Sequence, residues 1–80
     1  MKTVNLLPLS KAKIGKNYSV ISIRLNKSEK KRMLDLGIIP KTNIKILQKS
    51  PMGDPIAYFI RGTVIALREE YTKKIIVKEV

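Results

Sequence analysis

Between Ile56 and Leu67 the apolar positions repeat every second residue in two consecutive runs, Ile56-Tyr58-Ile60 and Ile65-Leu67. A period of two marks a half-buried strand. The turn-favouring residues Pro51, Gly53, Asp54 and Pro55 precede the first run, and Arg61-Gly62 separates it from the second. Gly62 supplies the positive φ of a tight turn, so the stretch from Pro51 to Arg68 predicts a loop followed by a complete β-hairpin. Strand parity points Ile56, Tyr58, Ile60, Ile65 and Leu67 inward, and Ala57, Phe59, Val64 and Ala66 outward. A two-stranded hairpin cannot hide its own apolar face, so the rest of the chain must extend or cover it.

The remaining pattern supplies those parts. Val4, Leu6 and Leu7 ahead of Pro8 predict a short opening strand. Ser10 can N-cap one helical turn over Lys11 to Ile14, with Gly15 as its terminator. From Asn17 to Arg24, Tyr18 and Val20 alternate before the pattern changes face at Ile21 and Ile23, which predicts a strand with a bulge or bend. Asn26 with Glu29 is a capping-box pair, and the helix it opens should run to Gly37. Met33, Leu34 and Leu36 are placed inward on that helix, and Lys27, Lys30 and Lys31 outward. Ile44 and Ile46 mark the strand feeding the hairpin, Arg68 to Tyr71 one tight turn, and Ile75 and Val77 one face of a closing strand. The expected core joins Ile44, Ile46, Ile75 and Val77 to the inward side of the hairpin, with the helix over one end. The 80 residues suit one domain spanning 1–80.

Charge adds a partner to this picture. Seventeen Lys and Arg against six Asp and Glu give a net charge of +11, a density that attracts nucleic acid, anionic lipid or an acidic protein surface. Thirteen of the seventeen are Lys, whereas base reading and phosphate forks rely on Arg, and only Tyr18, Tyr58, Phe59 and Tyr71 can stack on bases. Nucleic acid is therefore disfavoured. Cysteine and histidine are both absent, which removes disulfides, the usual zinc ligands and the usual general base. The expectation is that the chain is not an enzyme. No apolar run approaches the roughly 20 residues that span a bilayer, and the N-terminus lacks an export-length hydrophobic stretch, so a soluble chain is expected.

The segments LDLGIIPKTNIKIL (Leu34 to Leu47), PMGDPI (Pro51 to Ile56) and RGTVIALR (Arg61 to Arg68), in this order and at these separations, resemble the FeoA family of ferrous iron transport accessory proteins. The resemblance covers nearly the whole chain. It implies a mainly β fold, a small SH3-like β-barrel of about five strands with one α-helix and a short helical turn before the last strand. It also implies a small cytoplasmic accessory protein that binds the cytoplasmic part of a membrane ferrous iron transporter, one with a cytoplasmic GTPase domain, and modulates uptake. A peripheral position at the inner face of the membrane fits the same reading. The domain also resembles the C-terminal module of iron-dependent repressors. Lys41 stands where the family usually has Gly, so a strained or altered turn is expected there. Thr72 replaces a common alanine, a change expected to be tolerated.

Six residues are candidates for partner binding: Phe59 and Val64 on the outward face, Gly53 and Asp54 in the loop, and Arg61 and Arg68 bracketing the return strand. Each has a plainer role available, as turn residue, solvated ion pair or locally covered side chain. No strand-GxxxxGKS-helix unit surrounds the glycines, which disfavours nucleotide binding. Asp54, Glu69 and Glu70 form no evident ligand loop, so no metal ligand, cofactor or catalytic residue is assigned, and metal binding enters only at the level of the family. Lys27, Lys30, Lys31 and Arg32 form a basic helix surface, either merely solvated or facing a partner. Met33 is assigned to the core and Met52 to a loop surface. Two alternative functions stay open, a basic SH3-like nucleic-acid-binding module and a metal-responsive regulatory domain. A homo-oligomer and an anionic membrane surface stand beside the transporter as possible partners.

Overall fold

A computed structural model describes residues 5–80. The elements are β1 (Leu6–Pro8), a 3-10 turn (Leu9–Lys11), β2 (Asn17–Ile23), α1 (Lys27–Asp35), β3 (Asn43–Lys49), β4 (Ile56–Ile60), β5 (Thr63–Leu67), α2 (Glu69–Thr72) and β6 (Ile75–Glu79). The strands form one antiparallel sheet in the order β1-β6-β2-β3-β4-β5. The fold is therefore mainly β, with six strands rather than about five. β1 and β5 are its two edges and do not pair, so the curled sheet is not closed into a barrel. Val4, expected in the opening strand, lies outside the described residues.

Local sequence explains most of the joints. In β2, Val20 pairs with Val77 and Ser22 with Ile76, so Ile21 is the extra residue of a bulge. The bulge lets Val20 and Ile23, three positions apart, both turn into the core while Ile21 stays exposed. The first turn differs from its expectation. Pro8 precedes the 3-10 turn with no side-chain cap, and Ser10 lies within the turn rather than capping it. Leu9, fully buried, anchors the segment instead.

α1 begins with the expected capping box: the Asn26 side chain accepts from the Glu29 N–H at 2.8 Å, and Glu29 accepts from the Asn26 N–H at 3.3 Å. It ends in a Schellman turn, with Gly37 N–H donating to the Leu34 carbonyl and Ile38 N–H to the Met33 carbonyl, around Gly37 at φ +86. That turn corrects the expected packing of the helix. Met33 is buried, but Leu34 is 57% exposed and Leu36 also lies at the surface. One residue along a helix rotates a side chain by about 100°, so Leu34 leaves the face that Met33 buries. The reversed chain then drops Ile38, fully buried, into the space where Leu36 was expected. Thr42 fixes this corner: its Oγ1 accepts from the Ile39 N–H at 3.0 Å and donates to the Gly37 carbonyl at 3.2 Å. Lys41, beside it, does adopt a left-handed conformation, φ +77, while its N–H donates to the Val20 carbonyl at 2.7 Å.

The core lies on the concave side of the sheet. Tyr18, Val20, Ile44, Ile46, Tyr58, Ile60, Ile75 and Val77 are all fully buried there, with Met33 and Ile38 above them. Ile65 is half-buried and packs against this cluster, as strand parity requires.

Candidate partner-binding surface

The β4–β5 hairpin separates its two faces by simple alternation. Its register pairs Ala57 with Ala66 and Phe59 with Val64. Phe59 is 43% and Val64 61% exposed, so an aromatic ring and a branched aliphatic side chain stand opposite each other on the outer face. Part of the apolar outer face therefore reaches the surface, with Ala57 half-buried beside it. It adjoins β5, an edge strand whose outer backbone groups are unpaired within the sheet.

The other four candidates divide between the two ends of the hairpin. At its tip Arg61 and Gly62 both have positive φ, +49 and +81, the two-residue combination of a type I′ turn. A non-glycine residue is strained there. Arg61 is held by its own side chain, whose Nε–H donates to the Gly37 carbonyl at 2.8 Å. The contact is close enough that a Cβ at Gly37 would lie 2.8 Å from Arg61 Cδ. One donor of the guanidinium is thus committed to the corner after α1.

At the base of the hairpin, Gly53 at φ +87 closes a turn in which its N–H donates to the Ser50 carbonyl at 2.8 Å. Asp54 Oδ1 accepts from the Glu69 N–H at 2.9 Å, capping α2 from outside the helix. Asp54 Oδ2 lies 3.9 Å from the Arg68 guanidinium, a long and largely exposed ion pair. Gly53, Asp54 and Arg68 therefore gather around α2, a strand's length from Arg61, with Phe59 and Val64 on the face between. Met52 projects from the same loop with 91% exposure, as a surface residue.

Beneath this base the Tyr58 hydroxyl is sealed in the core beside Thr72. Burial raises the phenol, and the Thr72 hydroxyl lowers it, while the charges of Asp54 and Glu69 add to the rise, for a result of about 12. Neither the Tyr58 nor the Thr72 hydroxyl completes a hydrogen bond of good geometry. Among the described residues no three of His, Cys, Asp and Glu come together as a group that could hold a metal ion. No helix among them is long and apolar enough to cross a membrane.

Pattern reading did not anticipate a second concave surface. A groove of about 280 Å³ runs between α1 and the chain that follows it, with Ile23 and Ile38 at its floor, Leu34 and Ile39 at its edges, and Lys27, Lys30 and Lys31 along one side. The helical spacing of those lysines was the available signal, and the exposure of Leu34 was the part it could not give.

The FeoA domain matches residues 7–79. No curated protein matches the chain. Among solved structures, the FeoA-like protein of Clostridium acetobutylicum is 34% identical, with 100% of this chain and 91% of that one covered at a TM-score of 0.86. The FeoA protein of Chlorobium tepidum is 28% identical, with 92% and 70% covered at a TM-score of 0.87. A FeoA of Stenotrophomonas maltophilia, complexed with zinc and described as a procaryotic SH3 domain protein, is 24% identical, with 89% and 88% covered at a TM-score of 0.77. The last likeness carries the fold alone, and it places the open six-stranded sheet among SH3-like domains. With a family match over nearly its whole length, the chain belongs to the FeoA family.

Proposed function

We propose that this FeoA domain is a small cytoplasmic accessory protein that binds the cytoplasmic part of a membrane ferrous iron transporter and modulates uptake, with no chemistry of its own. The observation that carries this reading is the pairing of Phe59 with Val64 on an outer face where both stay exposed. An exposed aromatic beside an aliphatic partner, bounded by Arg61 at one end and Asp54 and Arg68 at the other, has the make-up of an interface anchor with a charged rim. The Stenotrophomonas relative, whose likeness carries the fold alone, is described as 'possibly acting as a bacterial ferrous iron transport activating factor', which is consistent with a transporter as the partner. Iron is the transporter's cargo in this reading and needs no site on the accessory chain.

Base stacking has little to work with. Tyr18 and Tyr58 are buried and Tyr71 is half-buried, leaving Phe59 as the one exposed aromatic among the described residues. Isothermal titration of the protein against the transporter's isolated cytoplasmic domain tests the proposal. Saturable binding that weakens with Phe59→Ser supports it, and absence of binding at concentrations well above micromolar removes it.

A further inference from the structure

The groove beside α1 combines three features that the hairpin surface does not. Its floor is apolar and recessed: Ile38 is fully buried and Ile23 nearly so, while Leu34 and Ile39 are accessible at the edges. Lys27, Lys30, Lys31 and Leu34 follow the i, i+3, i+4, i+7 spacing of a single helix stripe, so three ammonium groups and one leucine share one side of the recess. None of those lysines is in an ion pair, the ion pairs among the described residues being Lys16–Glu79 and Arg68–Asp54. The acidic side chain in the first turn of the same helix, that of Glu29, is turned away from it as well. Glu29 is bound to the Asn26 N–H and faces Arg32 and Tyr71 on the far side of α1. No Asp or Glu lines the groove.

Like charges at this spacing repel by a few tenths of a kcal/mol per pair. An apolar trough flanked by unpaired ammonium groups is complementary to one kind of ligand, an apolar side chain carried among carboxylates. The volume is close to the roughly 300 Å³ at which small-molecule pockets begin, enough to seat one or two anchoring side chains. A bilayer is engaged by apolar side chains that protrude, whereas Ile38 is fully buried and Ile23 nearly so. We infer that the groove bounded by Lys27, Lys30, Lys31 and Leu34 docks an acidic amphipathic segment of a protein partner, leucine-like side chains seated on Ile23, Ile38 and Ile39 and carboxylates on the lysines. This goes beyond the transporter reading and does not depend on it, since the hairpin face and the groove are different surfaces.

The probe is a fluorescein-labelled synthetic helix of about five turns, with leucines at i, i+3, i+4 and i+7 and glutamates elsewhere, followed by anisotropy against the full chain. Saturable binding is expected, falling steeply with salt. It should weaken about tenfold or more in Lys27→Glu/Lys30→Glu/Lys31→Glu, and by a similar factor in Leu34→Ser/Ile39→Ser. The control Lys11→Glu/Lys13→Glu/Lys49→Glu removes the same net charge elsewhere and should bind nearly as the parent does. Should the groove reversal fail to fold, Lys27→Gln/Lys30→Gln/Lys31→Gln carries the same expectation. Equal loss in the groove and control variants would reduce the effect to net charge and overturn the proposal. Equal binding of a peptide with serine for leucine would overturn it too, as would uptake onto phosphatidylserine vesicles through these lysines with no peptide binding. The transporter titration contains none of these reagents, so either reading can fail alone.

Discussion

Arg61 Nε donates to the Gly37 carbonyl at 2.8 Å, joining the tip of a hairpin to the end of a helix across 24 positions of chain. Two residues in left-handed backbone meet there, Arg61 at φ +49 and Gly37 at φ +86. Gly37→Ala should therefore lose stability twice, through about 1 to 2 kcal/mol of backbone strain and through displacement of the arginine. In an Arg61→Ala background the second loss disappears. A double-mutant cycle by urea unfolding checks it, with a coupling energy clearly different from zero as the expected result.

Lys41 offers the opposite case. Its φ of +77 strains a side-chain-bearing residue at a position where glycine is at ease. Lys41→Gly should raise stability by up to about 1 kcal/mol, the relief of strain being partly offset by the freer unfolded chain. Thermal unfolding of the two proteins side by side measures the sign.

Phe59 is exposed enough that its loss should leave the fold in place. Phe59→Ser should shift the thermal midpoint little and weaken transporter binding by about 1 to 3 kcal/mol. Ile60→Ala, one residue away on the buried face, should instead cost roughly 2 to 5 kcal/mol of stability. Measuring both by calorimetry and titration separates surface from core on the same strand.

Tyr58 makes stability depend on alkaline pH. Its phenol is raised from 10.0 to about 12 in the folded protein, so the folded state holds the proton more tightly than the unfolded chain. The contribution is complete below pH 10 and is lost as the pH rises from there through about 12, to an extent on the order of 2 to 3 kcal/mol. Tyr58→Phe should remove that part of the alkaline decline. Near neutrality it should be neutral or mildly stabilising, because it deletes a buried hydroxyl that has no partner. Chemical denaturation of both proteins from pH 8 upward, about the range in which the phenol begins to titrate, gives the difference curve.

What the sequence revealed of this fold was what neighbouring residues decide between themselves. The alternation from Ile56 to Leu67, the Asn26–Glu29 cap and the bulge at Ile21 are short-range patterns, and all stand in the structure. The facing of Leu34 and Leu36 was not legible, because it depends on how the turn at Gly37 lays Ile38 into the core. Nor was the pairing of β1 with β6, which brings the two ends of the described chain together. On the candidate surface, the outward facing of Phe59 and Val64 followed from parity alone, whereas the engagement of Arg61 by Gly37 and of Asp54 by Glu69 are contacts between distant segments. The groove needed both the exposed Leu34 and the buried Ile38 to be known before its lysines acquired a floor.

The bond from the Glu69 N–H to Asp54 has a consequence for the kinetics of association. It fastens the loop before β4 to the helical turn after β5, so the two strands bearing Phe59 and Val64 are clamped at their open end. A ligand meeting that face finds the ring and the branched side chain already in register and has little chain left to order. The entropic penalty of docking is then small, and substitutions in the face should act mainly on how long the complex lasts. Cutting the clamp with Asp54→Ala would slow the capture step, both by loosening the strands and by removing a charge from the rim of the same face.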